Sequence, residues 1–299
     1  TAPGYRLKYK DMKDYRNETG RKLEILMEDK PTGLEVCSNI QFYDGISVIR
    51  SWTELKNNGK EDLGVEYVSS FALLGIDKEG LLSTDQKLEV LIARNAWQKE
   101  LIWNRFSMDQ LGMSISQPDK VRRSSQTISV GNTGNWSTKN YLPMGCLKNK
   151  ETDSILFWQI EQNGSWYWEI SDQDGHMYLQ LSGPTEHQSH WWKNLKPGDT
   201  FKSVPVSIGS ACGDVEEAAG ELTKYRRAIR RKNEDNEKLP VIFNDYMNCL
   251  WGDPTTEKEI PLKKQDANIS VLIVVGILLA SGGTELENGC HLKKDFQVV

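Results

Sequence analysis

The stretch LPVIFNDYMNCLWGDP, Leu239 to Pro254, decides how this chain is read. Val241-Ile242-Phe243 is a short continuous apolar run, the pattern of a strand buried on both faces. Asn244, Asp245 and Asn248 follow at once. A buried strand that opens onto clustered polar side chains is how an α/β barrel presents ligand-binding groups at its C-terminal face.

Upstream of that stretch lies a predicted helix. Asp214 and Glu217 form an Asp-x-x-Glu capping pair. Val215, Ala218, Ala219, Leu222, Tyr225 and Ile229 then fall on one helical face. Arg226, Arg227, Arg230, Arg231 and Lys232 crowd its last turns. Cations at a helix C-terminus complement its dipole and stay solvated, so they do not by themselves make a nucleic-acid patch. The helix reads as a linker between a β-rich domain and the strand at Val241.

From Tyr5 to Ser207 the pattern is mostly β. Lys22–Asp29, Gly33–Tyr43, Ile46–Leu55, Gly64–Leu74, Leu88–Ala93 and Leu101–Phe106 are strand-like, with turn signals at Pro31-Thr32-Gly33 and Asp44-Gly45. Ile155–Gln162 and Ser165–Ser171 flank Asn163-Gly164, which signals a hairpin. Met177–Ser182 and Phe201–Ser207 complete the series, and short strands with regular turns predict an antiparallel β-sandwich. Met108–Thr138 is polar and reads as a solvated connection interrupted by Thr127–Val130.

The 299 residues carry a net charge of −5, which argues against a general nucleic-acid binder. Ten tryptophans serve a β core or stack on sugar rings. Five scattered cysteines without a C-x-x-C form neither a disulfide framework nor a zinc site and suit a reducing, cytoplasmic compartment. His187 and His190 lack a third ligand, so no metal and no cofactor is expected. No leader pattern opens the chain at Thr1, and Ile269–Ala280 is too short for a membrane span, so no membrane partner is expected.

Several stretches together resemble the glycoside hydrolase family 36 α-galactosidases, the melibiases. They are Trp136–Gly145 (WSTKNYLPMG), Asn163–Ile170 (NGSWYWEI), Leu181–Glu186 (LSGPTE), Trp191–Gly198 (WWKNLKPG), Leu222–Arg231 (LTKYRRAIRR) and, most specifically, Leu239–Pro254. Residues Tyr5–Ser125 match only in β character. The resemblance implies an N-terminal β-supersandwich, a helical linker and a catalytic (β/α)8 barrel. The domains would run 1–210 (β-sandwich), 211–238 (linker), 239–262 (first β/α unit) and 263–299 (an aberrant tail). Family enzymes release terminal α-galactosyl units with retention, using two carboxylates. By resemblance both catalytic groups lie beyond the C-terminus. Asp245 and Asn248, with Asn244, would bind sugar hydroxyls, and Tyr246 stands where other branches place a Trp against galactose. The implied partner is an α-galactoside oligosaccharide, with homo-oligomers possible for the full-length enzyme. The alternative is a β-sandwich carbohydrate-binding or interaction module working without a barrel.

After Leu262 the family resemblance stops, and the apolar run Ile269–Ala280 reads as a buried strand or hairpin. Back-translation of Asn268–Ile277, read one nucleotide earlier, gives EYFCIDCGWY, which resembles the family's second barrel strand. Glu287–Val299 in the same frame gives EWLPSKKRFPGG, again family-like. Two matches in one frame and in the right order are hard to ascribe to free codon choice. The tail is therefore expected to be an out-of-frame reading, and the chain to be catalytically incomplete.

Overall fold

The computed structural model describes residues 3–113, 126–173, 175–238, 242–244 and 271–273. They fall in two units, 1–230 and 231–299.

The first unit is built almost wholly of strands. They are β1 (Lys8–Asn17), β2 (Gly20–Asp29), β3 (Leu34–Tyr43), β4 (Ile46–Asn57), β5 (Leu63–Val65) and β6 (Ser69–Leu74). After a one-turn helix α1 (Thr84–Lys87) come β7 (Leu88–Ala96), β8 (Lys99–Ser107), β9 (Ile128–Asn132), β10 (Tyr141–Asn149), β11 (Ser154–Ile160), β12 (Trp166–Gln173) and β13 (His176–Ser182). A second short helix, α2 (Glu186–Ser189), precedes β14 (Lys193–Leu195), β15 (Thr200–Lys202), β16 (Val206–Cys212) and the long helix α3 (Val215–Ile229).

The large sheet has the order β1-β2-β3-β4-β16-β11-β10-β7-β8, with β15 added on β4. The small sheet runs β6-β13-β12-β9. Every pairing in both sheets is antiparallel, as the alternating patterns predicted. The turn at Asp44-Gly45 joins β3 to β4, and Gly45 supplies the left-handed backbone (φ 74°) it needs.

Of three buried clusters among the described residues, the two largest lie on the two faces of the large sheet. Between the sheets pack Trp158, Trp166, Trp168, Ile170, Leu179, Leu181, Met108 and Met113 with their neighbours. On the opposite face of the large sheet, α3 seats Ala218, Leu222 and Tyr225 against Tyr43, Val48, Leu91, Cys146 and Phe157. Asp214 caps α3, accepting from the Val215 N–H, and its capping box with Glu217 is formed. The predicted apolar face holds except at Ala219, which is exposed.

Three expectations are corrected. Asn163-Gly164 does not close a hairpin: β11 pairs with β10 and β16 in the large sheet, whereas β12 pairs with β13 and β9 in the small one. The turn carries the chain from one sheet to the other, and a local turn signal is the same for either path. The connection Met108–Thr138 is not wholly solvated, because Met108 and Met113 are fully buried between the sheets; its expected interruption at Thr127–Val130 is the strand Ile128–Asn132. Gly64–Leu74 is two strands in different sheets, β5 pairing with β14 and β6 with β13.

The second unit shows helix α4 (Glu234–Lys238) and two strands, β17 (Ile242–Asn244) and β18 (Val271–Ile273). They pair in parallel, with Ile242 opposite Val271, Phe243 opposite Leu272 and Asn244 opposite Ile273. Parallel neighbours need a connection of a dozen or more residues, and the two strands are far enough apart in sequence to allow one. β18 lies inside the apolar run Ile269–Ala280.

Candidate functional site

Asn244 closes β17 and so stands at its C-terminal end, where a barrel presents ligand-binding groups. Asp245, Tyr246 and Asn248 lie outside the described residues, so of the four predicted binding residues only Asn244 is described.

The sandwich carries polar chemistry that the strand-end reading did not include. Its clearest site lies on the outer face of the small sheet. Along β12, Trp166, Trp168 and Ile170 face the core, and Tyr167 and Glu169 face out; along β13, Tyr178 and Gln180 do the same opposite Leu179 and Leu181. This is the period-two alternation of a strand. Glu169 accepts hydrogen bonds from the Tyr167 hydroxyl at 2.6 Å and the Tyr178 hydroxyl at 2.9 Å. The Gln180 amide donates to the Tyr67 hydroxyl.

Glu66, Tyr67, Tyr167, Glu169, Gln180 and the segment Thr185–Gln188 line a cleft of about 260 Å³. Its walls are joined through the backbone, since the Glu186 N–H donates to the Glu66 carbonyl at 2.8 Å. Thr185 caps α2 by accepting from the Gln188 N–H. Burial pushes the Tyr67 hydroxyl pKa up. Burial and then the Glu169 charge do the same for Tyr167 and Tyr178, so all three stay protonated donors.

A second cleft, of about 370 Å³, lies along β3, β4 and β15 between Glu35, Cys37, Glu54, Lys56, Phe201 and Lys202. Glu54, Lys56 and Lys202 are exposed there, Glu35 is half-buried, and burial pushes the Cys37 thiol up and away from reactivity.

Glu161 is a fastening group. It accepts from Arg50 at 2.5 Å and from the Tyr225 hydroxyl, tying β4 and the end of β11 to α3. His187 is exposed at the rim of the small-sheet cleft, and His190 ends α2 in a left-handed conformation. Among the described residues no helix is long and apolar enough to cross a membrane.

These elements define a two-sheet antiparallel β-sandwich, with one long helix on the outside of the larger sheet, followed by a parallel strand pair. The same fold occurs in solved α-galactosidases of glycoside hydrolase family 36. A variant of AgaA from Geobacillus stearothermophilus in complex with stachyose matches 90% of this chain at 17% identity and a TM-score of 0.71. AgaB from the same organism matches equally, at 17% and 0.71. The galactosidase domain of the α-galactosidase-sucrose kinase AgaSK matches 89% at 20% identity and 0.68. This chain spans only 37%, 36% and 36% of those three chains. No protein-family model and no curated protein matches the sequence.

Proposed function

We propose that the chain is the N-terminal β-sandwich, helical linker and barrel entry of a retaining α-galactosidase, acting on terminal α-galactosyl units of oligosaccharides. The carrying observation is a coincidence of two kinds of likeness. The fold follows family 36 α-galactosidases over nine-tenths of the chain. Independently, the family-like string Leu239–Pro254 contains the short strand β17, which ends at Asn244 where the polar cluster begins.

In this reading residues 1–210 are the sandwich, 211–238 the linker and 239–262 the first β/α unit. Asn244, Asp245, Tyr246 and Asn248 line the galactose subsite at the end of β17, Tyr246 by ring packing and the others by hydrogen bonds to hydroxyls. Residues 263–299 are an out-of-frame reading of the second unit. Retention requires a nucleophile and an acid/base about 5 Å apart. The resemblance assigns both to later barrel strands, so the 299 residues alone hydrolyse no α-galactoside.

The test is an aryl α-galactoside assay on two proteins. One is the 299-residue chain, and the other continues from Leu262 in the shifted frame through the downstream barrel. Turnover by the longer protein alone, abolished by Asp245→Ala, is the expected result. Turnover by the 299-residue chain, or none by either, overturns the reading.

A further inference from the structure

We propose that the cleft on the outer face of the small sheet is a second carbohydrate site, binding one pyranose ring through vicinal hydroxyls. The inference stands on the cleft's own residues and not on the α-galactosidase reading.

The first argument is the arrangement of donors and acceptors. A carboxylate offers about four acceptor positions. Tyr167 fills one on Oε2 of Glu169 and Tyr178 one on Oε1, so each oxygen keeps one for a ligand. Gln180 spends its N–H on Tyr67 and keeps its carbonyl oxygen. The Tyr67 hydroxyl, which accepts that bond and lies within hydrogen-bonding reach of Ser69 and Ser182, borders the same cleft. A sugar hydroxyl both donates and accepts, and a pair of them satisfies this alternation.

The second argument is shape. Tyr67 is 39% exposed on one wall, and the Tyr167 ring lies at the cleft, so aromatic faces border the polar groups. The volume of about 260 Å³ is below the roughly 300–1,000 Å³ of sites for drug-sized ligands, which suits a single ring.

The third argument is charge. Among the described residues no Lys or Arg lines the cleft, and three carboxylates do, which disfavours an anionic ligand. Glu66 and Glu186 are exposed at the rim, where solvent screens them. Glu169, the carboxylate on the floor, is already compensated by two hydroxyl donors, which favours a neutral polyol over a cation.

The experiment titrates the 299-residue protein with methyl galactoside, methyl glucoside and methyl mannoside, and separately with tetramethylammonium, followed by NMR. At least one glycoside should bind with fast exchange. Glu169→Gln should weaken it about tenfold, the scale of a hydrogen bond to a charged group. Tyr67→Ala should weaken it as much, and Tyr67→Phe less, with circular dichroism confirming that each variant is folded. Glycoside binding untouched by both Glu169→Gln and Tyr67→Ala, binding of tetramethylammonium alone, or no binding at all each overturns the proposal.

Discussion

The two buried layers of the first unit share strands and differ in chemistry. On β11, Trp158 faces the sheet–sheet layer and its neighbour Phe157 the sheet–helix layer; on β10, Leu147 and Cys146 divide in the same way. The sheet–sheet cluster holds only Trp, Met and aliphatic side chains at its buried positions, so it contains nothing that titrates. The sheet–helix cluster holds Tyr43, Cys146 and Tyr225, and its rim is fastened by Arg50 and Glu161. One layer is held by packing. The other is held by packing plus a few polar bonds, and so it responds to conditions that the first ignores.

The comparison breaks first at Trp168. It is fully buried, with its ring edge-on to Trp158 at 5.1 Å between centroids. Trp168→Ala should cost about 4 kcal/mol, from lost transfer energy and an unfilled cavity. A loss of under about 1 kcal/mol in urea denaturation would show that the tryptophan layer is not the main store of stability.

Gly145 probes the same layer from the opposite direction. A Cβ there would lie 2.6 Å from the Trp158 ring, which is buried and cannot swing aside. Gly145→Ala should cost about 2 kcal/mol by overpacking. Near-ultraviolet circular dichroism should report the displaced indole.

At the sheet–helix layer, Tyr225→Phe removes a hydroxyl that donates to the half-buried Glu161 carboxylate. The expected loss is about 1.5 kcal/mol, the lower end for a bond to a charged group. Amide exchange should quicken along α3 while the small sheet stays protected. Uniform quickening would mean that the two layers open together.

The smallest expected effect is a pH dependence. Burial raises the Cys146 thiol pKa to about 12 and also raises those of Tyr43 and Tyr225, the last with help from the Glu161 charge. A raised folded pKa gives stability that is complete below the unfolded value and falls as pH climbs above it. Unfolded thiols and phenols titrate near 8.5 and about 10, so stability should begin to drop above about pH 8.5 and fall more steeply past about pH 10. Cys146→Ala should remove the early part of that loss, and Tyr225→Phe should reduce the later part. An unchanged alkaline profile in both variants would separate the effect from this layer.

How legible each part was in the sequence follows from how local its cause is. Helix α3 was readable because its cap and its period-3.6 face are local, and only Ala219 faced the wrong way. The sandwich was readable as strands, but not as sheets, because partners such as β4 and β16 are set by distant packing. β1 went unseen because all ten of its residues are exposed and no apolar alternation marks it. The strand ending at Asn244 was legible as a continuous apolar run. The small-sheet cleft was not, since Tyr67, Tyr167, Gln180 and Thr185 come from four separate segments. The one available signal was Tyr167 and Glu169 alternating with Trp166, Trp168 and Ile170.

The same exposed β1 bears on how the protein behaves in crowded solution. It is an outermost strand, ten residues long, and Tyr9, Met12 and Tyr15 are all exposed along it. Such an edge is a template for a strand from another molecule. Lys8, Lys10, Asp11, Lys13, Asp14 and Arg16 interrupt it with charge, and the register shifts between Tyr9 and Asp11. The guard against edge-to-edge stacking is therefore partly ionic. Salt that shortens the reach of those charges weakens it, so this border sets the ionic strength at which the chain remains a dispersed species.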